Sequence, residues 1–221
     1  MCYNTGKESR YINKGEMIML QNPVITIARQ YGSGGREIGE KVAALLGIPF
    51  YGKELIELAA EKSGYHPDVL GKVDERAAGS LLYSLATGVG GFSGGYDIPI
   101  NDKLFIVQSD IIRELAAKEQ CVIIGRCGDY ALREFDNKIS IFIYADLESR
   151  VERISARHGV SASVAENMIV KEDKRRAGYY NFYTGQKWGA IDRYTASFNS
   201  GVLGVDKVAE IIADMVRYIS K

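Results

Sequence analysis

The residues that most constrain this fold are Val24-Ile25-Thr26-Ile27-Ala28 and the turn that soon follows, Gly32-Ser33-Gly34-Gly35. The first run is β-branched, is entered through Pro23 and ends in glycines, the pattern of a strand buried on both faces of a parallel sheet. Beyond the glycines, Ile38, Val42, Leu45 and Leu46 recur at helical spacing until Gly47 and Pro49 stop the helix. Strand, glycine turn and helix together make a phosphate cradle. Backbone N–H groups of the turn face an anion, and the helix presents its positive end to the same place. Arg36 adds a full charge at the helix start. The alternative is a glycine turn that only lets the helix pack close to the strand. The position directly after the first strand favours phosphate binding.

The rest of the chain alternates in the same way. Ile48-Pro49-Phe50-Tyr51 reads as a short second strand and Lys53–Lys62 as a helix. Asp102–Lys118 reads as helix, Cys121-Val122-Ile123-Ile124 as a buried strand ending at Gly125, and Ile139–Tyr144 as another strand. Leu147–Arg157 and Ser161–Tyr180 read as helices, Tyr194–Phe198 as a weak last strand, and Asp206–Ile219 as an amphipathic closing helix. The fold class is therefore α/β, with a parallel sheet of about five strands covered by helices on both faces. Residues 1–22 read as a flexible leader and 23–221 as a single domain. Within it, residues 63–102 are interrupted by glycines, among them Gly79, Gly88, Gly90, Gly91, Gly94 and Gly95, and have a weak apolar pattern. They read as an inserted lobe or mobile loop, with a helix around Ala77–Thr87 and a glycine-rich turn at 88–95. The alternative is a surface loop without a catalytic role.

Composition excludes several classes. Lys+Arg and Asp+Glu both number 28, so no global basic field attracts nucleic acid and any anion site must be local. No stretch approaches the ~20 apolar residues of a membrane span, and the leader lacks a signal-peptide core. Three cysteines are too few for a disulfide framework and suit reduced thiols in the cytoplasm. His66 and His158 have no metal-ligand spacing with them.

Ligands of open parallel sheets bind beyond the carboxyl ends of strands. Gly32–Arg36, Gly125-Arg126 and Asp146 stand at such ends. Arg126 is placed to grip a phosphate bidentately, or else to pair with Asp129 or Glu134. A third group is Lys171-Glu172-Asp173-Lys174-Arg175-Arg176, followed by Tyr179-Tyr180. It comes after Arg150, Arg153 and Arg157, which share a helix face. Charge runs on helices are usually solvated faces. Two arginine-bearing helices in a neutral chain also suit a basic lid, because phosphoryl transfer depends on positioning and on neutralising the moving group.

The segments "VITIARQYGSGGREIGEKVAALLGIPFYGKELIELAA", "VIIGRCGDYAL", "IFIYADLESRVERI" and "KEDKRRAGYY" together resemble the nucleoside monophosphate kinases, most closely the cytidylate kinase-like family. The resemblance runs from Val24 over nearly all of the folded chain. It implies a P-loop kinase-like fold with a small inserted acceptor lobe at 63–102 and an Arg-rich helical lid at 147–185. It also implies ATP and Mg²⁺ as cofactors, a small-molecule nucleotide as substrate, and transfer of the γ-phosphate to CMP or dCMP. Gly32, Ser33, Gly34, Gly35, Arg36 and Glu37 fall on the family's phosphate loop, and Arg150 and Arg153 fall where an arginine covers the adenine. Arg126 matches a monophosphate-binding arginine. Asp173, Arg175 and Arg176 match a catalytic lid element. Lys53, with Glu54 beside it, falls where the acceptor lobe begins. The chain departs from the pattern in two places. Arg36, Glu37 and Ile38 stand for Lys-Gly-Thr, which leaves Ser33 as the hydroxyl for Mg²⁺. Cys127 stands for an aspartate, which leaves Asp129 to contact the substrate. Two other readings stay open: a nucleotide- or phosphate-binding protein without transferase activity, and a kinase for a non-nucleotide acceptor. A nicotinamide site is disfavoured because Gly32-x-Gly34-x-x-Glu37 does not complete G-x-G-x-x-G.

Overall fold

The computed structural model describes residues 20–63 and 100–220. The helix expected at Ala77–Thr87, the glycine-rich turn at 88–95 and residues 1–19 of the expected leader lie outside the described residues.

Five strands form one parallel sheet: β1 (Val24–Arg29), β2 (Phe50–Tyr51), β3 (Val122–Ile124), β4 (Lys138–Tyr144) and β5 (Ala196–Asn199), in the order β2-β3-β1-β4-β5. The central strand β1 is one residue longer than its apolar run. Arg29 pairs in register with Ile143, and Gln30 N donates to Ile143 O at 2.9 Å. The strand therefore ends on a charged residue rather than on Ala28.

The helices in chain order are α1 (Gly35–Leu46), α2 (Glu54–Ser63), α3 (Ile100–Lys118), α4 (Gly128–Ala131), α5 (Leu147–His158), α6 (Ala162–Thr184), α7 (Ser200–Leu203) and α8 (Val205–Ile219). Alternate residues of the sheet enter different cores, as a strand's period of two requires. Ile25, Ile27, Ile141 and Ile143 pack with Ile38 and Val42 of α1 and Val208 and Ile212 of α8. Val24, Cys121 and Ile123 pack on the opposite face with Leu55 and Ala59 of α2 and Ile111 and Ile112 of α3. The chain before β1 is tied down at Leu20, whose N–H donates to Ile219 O at 2.7 Å.

Helices α5 and α6 form an arm with its own small core of Ile154, Ala165 and Ile169, against which Tyr31 packs. Asp146 caps α5 by accepting from Ser149 N at 2.8 Å, and Ser161 begins α6. Helix α6 runs one turn past the expected end at Tyr180. Thr184 Oγ donates to the Tyr180 carbonyl at 2.6 Å, and the left-handed Gly185 closes the helix. That extra turn brings Tyr183 and Thr184 into the helix beside the arginines upstream.

Candidate functional site

The loops after β1 and β3 leave the same edge of the sheet, because the strands are parallel. The Ile27–Ile124 pair is the last in their register; Arg29 ends β1 two residues on, and Arg126 lies two residues past the end of β3. Around them the sheet edge, the loops and α6 enclose two adjoining cavities. One is bounded by Arg29, Arg126, Cys127, Asp129, Arg175, Arg176 and the rings of Tyr179 and Trp188. The other lies over the glycine loop and takes in Tyr31, Gly32, Gly34, Arg36, Arg153 and Arg157. Arg29 and Arg176 line both.

The arginines repel one another. Burial, then Arg176, Arg126, Arg175 and Arg36, pull Arg29 well below an arginine's ordinary value. Burial, with Arg175 and Arg176 nearby, brings Arg126 down to about 10. Burial also lowers Arg176, against the pull of Asp173 and Glu172. Two acids close by take up part of this charge. Arg175 Nη2 donates to Glu172 Oε2 at 2.9 Å, and Glu37 takes Arg153 Nη1 at 3.4 Å. Buried guanidinium groups this close together attract a multiply charged anion, because burial and mutual repulsion both disfavour their charged forms.

The backbone that carries Arg126 is unusual. Gly125, Arg126 and Cys127 take φ of 74°, 55° and 50° in succession. Two non-glycine residues in the left-handed region cost about 1–3 kcal/mol each. The turn they make sets the Arg126 side chain into the cavity and starts α4.

Several residues expected at the site have other partners. Asp173 accepts from Arg150 Nη1 at 2.6 Å and from Tyr31 N at 2.7 Å, so its carboxylate fastens α6 to α5 and to the loop. Arg150 is buried in that pair rather than held out over a base. Arg36 pairs with Glu40 at 2.8 Å and lies over the Phe50 ring, at the rim of the loop cavity. Lys53 is exposed and Glu54 accepts from Gly52 N at 2.6 Å, and neither lines either cavity. Asp129 takes the Tyr180 hydroxyl at 2.6 Å, and Glu134 lies by Arg133 at 3.6 Å. The pairings with Arg126 that the sequence left open are therefore not how these two acids are used. Sequence reasoning missed Arg29 and also Tyr31, whose ring lies under the Arg176 guanidinium at 5.4 Å.

The loop does not fit a Mg²⁺ ion held directly by side chains. Ser33 is 1% exposed and its hydroxyl donates inward to the Gln30 carbonyl at 2.9 Å. Among the described residues no group of three or more His, Cys, Asp or Glu is arranged for a metal.

Among the described residues Asp129 is the one acid that lines the arginine cavity, and burial raises it above the ordinary carboxyl value of 3.8, against the Tyr180 bond. A raised carboxyl pKa means that the fold disfavours the charged form. The penalty is absent below the unfolded value, grows as pH rises through it, and is complete above the folded value. Asp129→Asn keeps an acceptor for Tyr180. It is expected to raise the melting temperature at pH 7 by a few degrees, with the gain vanishing below about pH 4. Thermal melts at both pH values check it, and an equal effect at both would show that charge is not the cause.

The sequence profile of the cytidylate kinase-like family matches residues 24–202. Among proteins of curated function, none matches the chain in sequence. A solved structure of an uncharacterized protein from Eubacterium ventriosum is 29% identical, covering 88% of this chain and 98% of its own, with a TM-score of 0.65. Shikimate kinase from Bacteroides thetaiotaomicron is 14% identical over 88% of this chain and 98% of its own, with a TM-score of 0.50, a likeness of fold. No helix among the described residues is long and apolar enough to cross a membrane.

Proposed function

This chain belongs to the cytidylate kinase-like family, and from that premise we propose that it transfers the γ-phosphoryl group of ATP to a nucleoside monophosphate, CMP or dCMP. The observation that carries this reading is that Arg29 and Arg176 line both cavities. Two anions that enter from opposite sides meet at the same pair of charges, as an in-line transfer requires.

The donor lies on the loop side. The amides of Gly32–Gly35 and the N-terminus of α1 hold its phosphates. Its base enters the cleft bounded by Arg153, Ser149, Ser200 and Gly201. The acceptor lies in the arginine cavity. Arg126 and Arg175 hold its phosphate, with Tyr179 and Trp188 beside its remaining body. An oxygen of the acceptor phosphate forms a bond to the γ-phosphorus. The bond from that phosphorus to the β–γ bridging oxygen breaks, and ADP leaves with the electron pair. A fully ionised phosphate acceptor has no proton to give up, so no general base is needed. The protein's part is positioning and neutralising the equatorial oxygens. Arg176 is placed for this by its bond to the Arg29 carbonyl at 2.9 Å, which anchors α6 to the strand end. Mg²⁺ bound to the nucleotide would screen its phosphates without a side-chain ligand from the loop, and the arm of α5 and α6 serves as the lid.

A second reading is favoured by the Asp129–Tyr180 pair and by Cys127, which among the described residues leave no unengaged carboxylate on the acceptor side for a ribose or base. In that reading the acceptor is a small non-nucleotide phosphate ester. Coupled detection of ADP with Mg²⁺ATP, across the nucleoside monophosphates and a panel of sugar phosphates, separates the two. Release that depends on CMP or dCMP is expected. Release with sugar phosphates alone selects the second reading. Tight ATP binding without release from any acceptor leaves a nucleotide-binding protein.

A further inference from the structure

The loop of this chain lacks a lysine, yet the structure places a cation where one would reach. Helix α1 begins at Gly35, with Gly34 as its N-cap. The backbone of Gly35 is helical and does not itself call for glycine, since its φ is not in the left-handed region. Space is what calls for glycine here. A Cβ built on Gly35 would lie 2.5 Å from Arg29 Cβ and 2.9 Å from Arg29 Cγ. Across the site, a Cβ on Gly125 would collide with Arg29 Nη1. Glycines on two different segments therefore clear a passage, and the Arg29 side chain fills it from end to end. Its guanidinium arrives between the two cavities, among Arg126, Arg175 and Arg176. Among the described residues no carboxylate pairs with it, and the largest charges acting on it are those of other arginines.

We propose that Arg29 takes over the work of the loop lysine: from the end of β1 it holds the β- and γ-phosphates of the bound triphosphate, in the space that a side chain at position 35 would otherwise enter. In chains with the G-x-x-x-x-G-K-[ST] loop the lysine reaches those phosphates from the helix start, which in this fold is Gly35, one residue before the Arg36 that the sequence set in the lysine's place. Here the charge comes from the neighbouring strand end, and Gly35 is small so that it can. A guanidinium brings planar, two-pronged donors to phosphate oxygens where a lysine brings a point charge. Arg36 is not in this role, because its guanidinium is paired with Glu40 on the outer flank of α1.

The proposal rests on the phosphotransferase reading for its ligand, but it is tested by binding rather than by turnover. Calorimetry with ATP, tripolyphosphate and AMP is carried out on the full chain and on Arg29→Ala, Arg29→Lys and the double variant Arg29→Gly/Gly35→Lys. Arg29→Ala is expected to weaken ATP and tripolyphosphate by roughly 10- to 100-fold, the range for a lost charge-assisted contact, with AMP changed less than about twofold. Arg29→Lys is expected to keep more of the tripolyphosphate affinity than Arg29→Ala. The double variant removes the Cβ that blocks position 35 and places a lysine there, and it is expected to regain most of the loss. Unchanged ATP binding in Arg29→Ala overturns the proposal. So does an equal loss for ATP and AMP, which would mark Arg29 as a residue that only shapes the cavity. Equal tripolyphosphate affinities in the Ala and Lys variants overturn it too, even if the double variant does not fold. Failure of the wild-type chain to bind tripolyphosphate or ATP also overturns it. Arg29-dependent binding without transfer to any acceptor would uphold it while ending the kinase reading. Transfer with no Arg29-dependent binding would do the reverse.

Discussion

Replacing Arg126 with alanine is expected to lower kcat/KM for the acceptor by about 10³-fold while leaving the melting temperature unchanged or higher. The loss follows from removing a charge that faces the acceptor phosphate, in a cavity where neighbouring donors are buried and water is a poor substitute. The wild type carries two costs here. The Arg126 charge sits close to those of Arg175 and Arg176, which alanine relieves and which gives the stability result, while the φ of 55° strains alanine as it strains arginine. Arg126→Gly separates these costs further. Glycine takes the left-handed conformation without strain, so this variant is expected to be the more stable of the two and equally inactive. Steady-state kinetics beside thermal melts decide the matter. A fall in melting temperature with little change in rate would make Arg126 a structural residue.

Arg150→Ala is expected to destabilise the fold by about 3 kcal/mol, the range for an uncompensated buried charge. Its partner Asp173 would keep only the Tyr31 N–H, in a place where the two side chains are 11% and 19% exposed. The pair joins α5 to α6, and through Tyr31 it joins both to the glycine loop. Loss of Arg150 is therefore expected to loosen the loop as well as the arm. Urea unfolding of Arg150→Ala, Asp173→Ala and the double variant gives the coupling. The double is expected to lose less than the sum of the singles, since removing both partners strands no charge. A loss below about 1 kcal/mol for Arg150→Ala would place this pair with ordinary surface ion pairs.

The sheet could be read from the chain because β1, β3 and β4 are runs rich in β-branched residues, and such runs alternating with helices leave little freedom of topology. The glycine turn into α1 was legible because glycines followed by helical spacing directly succeed the first strand. Arg175 and Arg176 could be picked out in the basic run, and both line the arginine cavity. Asp173 lies in the same run but serves differently. Its partner Tyr31 is 142 residues away, and nothing local distinguishes a carboxylate that ties down a loop from one that faces substrate. Arg29 was missed because the apolar run stops at Ala28 and attention passes to the glycines. The rule that singled out Arg126, a charge just past a strand's carboxyl end, applies equally to Arg29. Only the folded chain shows that the two line one cavity. The inward hydroxyl of Ser33 was illegible for a related reason, since loop glycines permit several turns and only packing selects one.

Transfer of label from ATP carrying ³²P in its γ-phosphate, followed with CMP and dCMP as acceptors in the wild type and in Arg126→Ala, bears most directly on a site shared by two substrates. Label is expected in a nucleoside diphosphate, only when the acceptor is present, and to be nearly abolished in the variant. Label appearing solely as inorganic phosphate, or remaining in ATP that is nonetheless tightly bound, would contradict phosphoryl transfer across these arginines.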